Sequence, residues 1–292
     1  MAKYSGLRER LLRDCIVQAD DLHEAPQAAW TDLQLVHTTE YLSAVEHGTL
    51  SREAQRRIGF PWSPQMVERA RRSVGATIAA TQAALEDGAA ANLAGGTHHA
   101  FADRGEGYCV FNDVAVASRV LQRDGLAARI AIVDCDVHQG NGTAAIFARD
   151  RDVYTFSMHG AKNYPFRKET SHLDVELEDG TSDEPYLAHL AHSLEWILRT
   201  HRPQFVFYLA GADPFEYDRL GRLKLTIDGL RRRDEMVMNH CATAGLPVVI
   251  TMSGGYAANV EDIVTIHANT IRAAVSTLVH PRHLTLCNAS AY

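Results

Sequence analysis

The sequence predicts an α/β fold of three layers, in which helices cover both faces of a mostly parallel central sheet. Short runs of apolar, β-branched or aromatic residues alternate along the chain with longer helical patterns. Parallel strands need crossover connections, and helices between successive strands provide them. The 292 residues contain no linker, internal repeat or low-complexity tract, so we expect a single domain over residues 1–292.

The strands and helices are predicted from local patterns. Buried strands are expected at 129–135, 152–157, 204–210 and 246–252, and a shorter apolar stretch covers 89–94. Ser63 followed by Pro64 is typical of a helix start, and Asn112 before Asp113 is typical of another. These helices are expected to reach Gly88 and Gly125, and two more are predicted at 184–201 and 226–245. The basic triplet at 231–233 is expected to be a solvated helix face.

The composition excludes several classes of partner. Lys and Arg total 29 and Asp and Glu total 36, giving a net charge of −7, so we expect neither nucleic acid nor an anionic membrane as partner. No uncharged run approaches the ~18 apolar residues of a membrane span, and the N-terminus has no apolar secretory stretch. Five scattered cysteines without C-x-x-C spacing favour reduced thiols. We therefore expect a cytoplasmic location, while the oligomeric state is left open.

Polar residues follow four of the predicted strands. Ligands of parallel α/β sheets collect beyond the carboxyl ends of the strands, so these side chains are expected on one rim. The rim would carry three carboxylates, three imidazoles and a phenol: Asp134, Asp136, Asp213, His98, His99, His138 and Tyr256.

The spacing within the first of these groups indicates a metal site. Side chains of an extended chain alternate, so Asp134, Asp136 and His138 would share one face. Burying two carboxylates and an imidazole together is costly unless a cation offsets the charge. Asp136, His138 and Asp213 are the candidate ligands, and three protein ligands with one open position are typical of catalytic zinc.

Each residue taken alone has an ordinary alternative. Asp213 could be a helix cap, His98 and His99 could lie in an exposed loop, and Tyr256 could be a core aromatic. Their conjunction favours a site. The G-x-G-x-x-A string at 140–145 is not a dinucleotide turn, because four residues separate its first glycine from the strand.

Five strings in order resemble a known family. They are GGTHHA (95–100), GYCVFND (107–113), DCDVHQGNG (134–142), GADP (211–214) and SGGY (253–256). The chain resembles the zinc-dependent histone deacetylase superfamily over nearly its whole length, and is most similar to bacterial class IV-type homologues. The resemblance implies the arginase/deacetylase fold and hydrolysis of an N-acyl amide, typically acetyl-lysine.

The resemblance also assigns roles by position. Asp136, His138 and Asp213 match the zinc ligands. The catalytic positions of the family are matched by the tandem histidines His98 and His99, by Asp134 and Asn141 behind them, and by the tyrosine Tyr256. Its substrate-contacting positions are matched by Gly107, Tyr108 and Tyr164. Its potassium-binding positions are matched by Asp134, Asp136, His138 and Ser157. Gly140 stands where the binuclear arginases carry a metal-binding Asp, so one zinc ion per chain is expected.

The expected activity is deacylation of Nε-acyl-lysine by metal-activated water. His99 would act as general base and Tyr256 would stabilise the oxyanion. Three questions stay open: a small acylated amine such as a polyamine could be the substrate, the chain could bind acyl-lysine without catalysis, and the native metal could be Zn²⁺ or Fe²⁺. Family members usually carry a short strand before the segment matching Lys3 and Tyr4, so either the start is truncated or that sheet edge is absent.

Overall fold

The computed structural model describes residues 2–278 and contains a six-stranded sheet in which every strand pair is parallel. The spatial order is β1-β6-β5-β2-β3-β4. The strands are β1 (Ala89–Asn92), β2 (Ile130–Asp134), β3 (Val153–Gly160), β4 (Leu173–Leu177), β5 (Phe205–Leu209) and β6 (Val248–Thr251). The predicted fold class is therefore confirmed.

Helices cover both faces of the sheet. They are α1 (Ala2–Arg13), α2 (Trp30–Leu33), α3 (Thr39–His47), α4 (Arg52–Ile58), α5 (Pro64–Asp87), α6 (Asp113–Arg123), α7 (Asn141–Phe147), α8 (Asp183–Thr200), α9 (Ile227–Thr243) and α10 (Val260–Thr277). Residues of α1, α8, α9 and α10 share one core cluster with the sheet, and residues of α5, α6 and α7 share another. These are the two outer layers that the sequence predicts.

Strand β2 shows how the sequence divides between the layers. Ile130 and Ile132 pack into the cluster on the α5–α7 side, whereas Ala131 and Val133 pack into the opposite cluster. All five residues of the strand are buried, as expected for a parallel strand covered on both faces.

The predicted helix starts are confirmed. Oγ of Ser63 accepts a hydrogen bond from the backbone N–H of Met66 at 3.1 Å, and Asn112 caps α6 through the N–H of Ala115 in the same way. These side chains satisfy N–H groups that have no partner within the helix. The predicted helix ends lie within two residues of those observed.

One prediction on α9 is wrong. Arg231 and Arg232 form ion pairs near the surface, but Arg233 is 0% exposed and pairs with Asp234 at 2.8 Å. A helix turns about 100° per residue, so three consecutive residues cannot all face solvent on a helix packed against a sheet. The guanidinium of Arg233 also donates to the carbonyl of Gly211 at 2.6 Å, beside the functional rim.

The helices and cysteines of residues 2–278 test the expectations on membrane spans and disulfides. No helix within residues 2–278 combines the length and apolar content that a bilayer crossing requires. Cys15, Cys109, Cys135 and Cys241 are not joined in disulfides, as the sequence predicts. The fifth, Cys287, lies outside the described residues.

Candidate active site

The carboxyl ends of four adjacent strands form the rim of the site. Strands β1, β6, β5 and β2 are neighbours in that order, and all run in the same direction. The residues that follow them therefore lie together, and the structure places all seven predicted rim side chains there, buried or half-buried. The prediction of a single rim is confirmed.

Asp136, His138 and Asp213 form one compact cluster. Each offers a ligand atom, and these atoms lie within 4.8 Å of one another. Nδ1 of His138 lies 3.0 Å from Oδ1 of Asp136 and 3.2 Å from Oδ2 of Asp213. Within residues 2–278 no other group of three acidic, His or Cys side chains meets this criterion. The cluster is the candidate metal site that the sequence predicts.

The chemistry of this cluster fits a divalent cation. Oδ2 of Asp213 is fully buried and accepts no hydrogen bond from the described residues. An uncompensated buried carboxylate oxygen is costly, and a cation would offset the cost. Two carboxylates and one imidazole leave coordination positions open, which is the pattern of catalytic rather than structural metal sites.

Backbone amides hold the two carboxylates in place. The N–H of Val137 donates to Oδ1 of Asp213 at 2.9 Å, and the N–H of Gly254 donates to Oδ2 of Asp136 at 2.8 Å. A Cβ atom at position 254 would lie 1.9 Å from Oδ2 of Asp213. Only glycine allows this approach, which explains the glycine at position 254, two residues before Tyr256.

The charges of the cluster are strongly coupled in the metal-free protein. Burial and the neighbouring Asp136 raise the pKa of Asp213 to about 6. Burial alone would lower the pKa of His138, but Asp136 and Asp213 outweigh it and raise that pKa to about 10. Three buried ligand groups that converge shift one another's pKa values in this way, and a bound cation would offset the charge of the two carboxylates.

His98 is paired with Asp134. Nδ1 of His98 lies 2.6 Å from Oδ2 of Asp134, and both side chains are buried. Burial favours the neutral ring, but Asp134 and Asp136 overcome this effect and raise the pKa of His98 to about 9. The imidazolium form of His98 is thus favoured at neutral pH.

His99 has a different environment. Its Nδ1 lies 2.7 Å from Oδ1 of Asn141, a neutral partner. Burial, followed by the positive charges of His98 and His138, holds the pKa of His99 well below its usual value. The adjacent histidines therefore differ in charge, because one faces a carboxylate and the other an amide.

Glu106 completes a hydrogen-bonded chain that the sequence analysis missed. Nδ2 of Asn141 donates to Oε1 of Glu106 at 2.8 Å, and the hydroxyl of Tyr164 donates to the same oxygen at 2.8 Å. The rings of Tyr164 and His99 meet edge to face at 4.9 Å. Glu106 directly precedes the GYCVFND string, and its position there was the available clue.

Asp113 organises the loop that carries the two histidines. Oδ1 accepts from the N–H and the hydroxyl of Thr97, both at 2.7 Å, and Oδ2 accepts from the N–H of Gly96 at 3.0 Å and the hydroxyl of Thr77 at 2.7 Å. The sequence pattern indicated Asp113 only as the start of α6. This carboxylate instead ties α5, α6 and the loop together.

Tyr256 borders the metal cluster. The Tyr256 and His138 rings lie 6.4 Å apart, and the Tyr256 backbone N–H donates to Asp218 at 2.6 Å. Burial and the nearby Asp213 and Asp136 raise the pKa of the Tyr256 phenol, so it stays protonated. Lys3 lies behind this tyrosine, with Nζ 3.0 Å from the carbonyl of Ser253. Neither Lys3 nor Asp218 was predicted as part of the site.

A cavity of about 420 Å³ opens above the cluster. Gly107, Tyr108 and Tyr164 line it together with His99, His138 and Tyr256. Tyr108 is 56% exposed and packs on Phe60, with ring centroids 5.4 Å apart. A Cβ atom at Gly107 would lie 2.5 Å from Cδ2 of His99, so this wall needs a glycine. The three predicted substrate residues thus share one cavity with the candidate catalytic groups.

The predicted potassium residues are Asp134, Asp136 and His138 of the rim together with Ser157 of β3. Ser157 is paired with Asp134 in the register of β2 and β3, and its hydroxyl lies 2.9 Å from Nδ1 of His159. His159 belongs to β3 as well. The potassium assignment stays a prediction.

Comparisons with known proteins agree with this geometry. A sequence model of the histone deacetylase domain matches residues 1–271. An uncharacterized protein of Picosynechococcus sp. is 49% identical over 276 residues, which cover 94% of this chain and 91% of that protein. Histone deacetylase 2 of Arabidopsis thaliana is 32% identical over 272 residues, covering 87% and 68%. The crystal structure of a histone deacetylase homologue from Aquifex aeolicus superposes with a TM-score of 0.81 at 24% identity, covering 95% of this chain and 78% of that one. By sequence and by fold, this chain belongs to the histone deacetylase family.

Proposed function

We propose that the chain is a zinc-dependent amidohydrolase that removes acetyl or longer acyl groups from the Nε atom of lysine. The main observation that supports this proposal is the cluster of Asp136, His138 and Asp213, which lies at a cavity lined by His99 and Tyr256. We also propose that residues 1–292 act as one catalytic domain in the cytoplasm, with one metal ion per chain.

The donor set supports zinc. Neutral imidazole and carboxylate oxygens suit Zn²⁺, although Fe²⁺ accepts the same ligands. When bound, the metal ion would polarise the acyl carbonyl and lower the pKa of a water molecule. The remaining chemistry, which moves protons and stabilises charge, falls to the side chains around the cluster.

His99 is the proposed general base. Its Nδ1 faces the carbonyl oxygen of Asn141, so Nδ1 carries the proton and Nε2 keeps its lone pair. The low pKa of His99 keeps the ring neutral at physiological pH. A neutral ring can take a proton from water and later pass it to the leaving amine.

Glu106 is a positioning residue in this scheme. A carboxylate only accepts hydrogen bonds, so it requires the NH₂ group of Asn141 to face it. The oxygen of the same amide must then face His99. The orientation of Asn141, and through it the tautomer of His99, follows from the charge of Glu106.

His98 and Tyr256 would stabilise negative charge in the transition state. His98 favours the imidazolium form, which would place a positive charge close to the reacting carbonyl. The protonated phenol of Tyr256 can donate to the developing oxyanion. Asp134 holds His98 in orientation through the bond at 2.6 Å.

The cavity walls support an extended substrate stem. Tyr108 and Tyr164 line the cavity that leads to the cluster, and such aromatic walls suit the methylene chain of lysine. Gly107 lets the substrate approach the backbone beside His99. These three residues are the proposed substrate contacts.

A panel of acyl-lysine peptides tests the proposal. Acetyl-, butyryl- and myristoyl-lysine peptides should release free lysine when the protein is loaded with zinc, and a chelator should abolish the release. The panel also gives the acyl-chain preference. If the protein binds zinc but releases no amine from any peptide, the alternative of a catalytically silent acyl-lysine binder is favoured. Such a binder has no need for proton-transfer groups such as His99.

A further inference from the structure

The mouth of the active-site cavity is positively charged. Among the described residues lining the cavity of about 420 Å³, four are cationic and none is a carboxylate. The cations are Arg56, Arg57, Lys162 and Arg222, which we call the mouth cations. The same cavity reaches His138 and Tyr256, so any substrate that enters it passes these charges.

The fold brings the mouth cations in as two pairs. Arg56 and Arg57 lie in the last turn of α4, and the carbonyl of Arg57 accepts from the N–H of Gly107 at 3.2 Å. The other pair is Lys162 and Arg222. Their segments are joined by Asn163, whose Nδ2 donates to the carbonyl of Leu220 at 2.8 Å. A backbone hydrogen bond therefore holds the first pair beside the substrate walls, and a side-chain hydrogen bond links the segments of the second.

Neighbouring carboxylates neutralise only part of this charge. Arg57 pairs with Glu53 at 3.0 Å, while Lys162 and Arg222 lie 3.9 and 3.2 Å from the same Asp179. Arg56 is exposed and forms no ion pair with a described residue. Four cations thus stand against two carboxylates, and both carboxylates lie outside the cavity lining.

The local charge is opposite in sign to that of the whole chain. The net charge of −7 suggests a cationic substrate, such as an acylated polyamine. The field at a cleft depends on the charges that line it, because exposed charges beyond about 8 Å are screened at physiological salt. The mouth cations therefore set the charge that a substrate meets when it enters through this cavity.

We propose that the mouth cations select acyl-lysine residues flanked by Asp or Glu in a peptide or protein chain, and disfavour acylated polyamines and lysine-rich sequences. The inference rests on the proposed function and names its substrate class. An acyl-lysine is neutral, so the residues beside it carry the charge that meets Arg56 and Arg222. A polyamine would instead bring one or more ammonium groups to the same surface.

Four substrates test this selection by charge. Three are acetyl-lysine peptides of equal length in which the acetyl-lysine is flanked by Glu, by Ser or by Lys, and the fourth is acetylspermidine. One attraction between opposite unit charges about 7 Å apart in water strengthens the binding constant roughly threefold. We expect kcat/KM to be at least tenfold higher for the Glu peptide than for the Lys peptide at low salt. The ratio should fall toward one in 0.5 M NaCl.

The double variant Arg56→Gln/Arg222→Gln should reduce the Glu-to-Lys ratio severalfold. The matched control is Arg149→Gln/Arg151→Gln, which removes the same charge just before β3, at the amino end of the sheet. This control should leave the ratio unchanged. Equal rates for all flanks, a preference for the Lys peptide or acetylspermidine, or an equal effect of both double variants would overturn the proposal.

Binding of the same substrates separates this proposal from the proposed function. If no substrate is hydrolysed, the proposed deacylase function fails, but calorimetric titration of the zinc-loaded protein with the three peptides still measures charge selection. Tighter binding of the Glu peptide that weakens with salt would support the selection without catalysis. Equal binding of the three peptides would contradict it.

Discussion

Nδ1 of His99 lies 2.7 Å from Oδ1 of Asn141, so a neutral amide stands behind the proposed general base. The adjacent His98 faces the carboxylate of Asp134 at 2.6 Å. This difference divides the two histidines into a neutral ring and a charged ring at neutral pH, since the pKa of His98 rises to about 9 and that of His99 falls well below its usual value.

Asn141→Asp should shift the pH dependence of catalysis. A carboxylate at this position would favour the imidazolium form of His99 and so raise its pKa. His99 would then be protonated at pH values where the native ring is neutral, so the acid limb of kcat/KM should move to higher pH. An acid limb that stays in place would contradict the role of His99 as general base.

Glu106→Gln should lower kcat by roughly tenfold while KM changes little, because a glutamine no longer fixes the Asn141 amide in one orientation. In an Asn141→Asp background the same substitution should not lower kcat, since it removes one of two carboxylates that would face each other, and either oxygen of the new aspartate can accept from His99. Tyr164→Phe is the control for the lost tyrosine contact. An equal loss in both backgrounds would argue against the positioning role of Glu106.

Tyr256→Phe should reduce kcat by ~10²–10³, the usual cost of removing one donor to an oxyanion. Bound metal should be retained, because the phenol is not among the three clustered ligands. Steady-state kinetics and metal analysis of the same sample give both quantities. Near-normal turnover with full metal content would exclude Tyr256 from the chemical step.

The thermal stabilisation by zinc should grow with pH. In the metal-free protein the raised pKa values of His98 and His138, about 9 and 10, contribute stability that is present below pH ~6.5 and lost as the pH rises toward 10. Zinc requires a neutral His138, so its affinity should rise over the same window. The difference in Tm between zinc-loaded and metal-free protein should be larger at pH 9 than at pH 6.5. A difference independent of pH would contradict the assignment of His138 as ligand.

The sequence was sufficient for features that local chemistry determines. The caps at Ser63 and Asn112 were predictable because a short polar side chain before an apolar periodic run has few other uses. The metal cluster was predictable because parallel strands bring their carboxyl ends to one edge. In both cases a strand or helix pattern fixes where the polar residue must lie.

Features that depend on contacts distant in sequence were missed. Strand β4 has the sequence LDVEL at a sheet edge, and its alternating charges do not resemble a buried strand. Lys3 reaches Ser253 across 250 positions, which no local pattern reveals. Arg233 looks like part of a surface triplet until the packing of α9 shows which face it occupies. Burial of a charged residue depends on tertiary partners such as Asp234, and the sequence does not identify them.

Metal content tests the central claim most directly. Protein purified with zinc supplied and then freed of loosely bound ions should contain one transition-metal ion per chain by elemental analysis. Asp213→Asn, which replaces a ligand whose Oδ2 has no other described hydrogen-bond partner, should lose most of that metal while Asp179→Asn retains it. The absence of stoichiometric metal from the unsubstituted protein would contradict the proposed hydrolytic site.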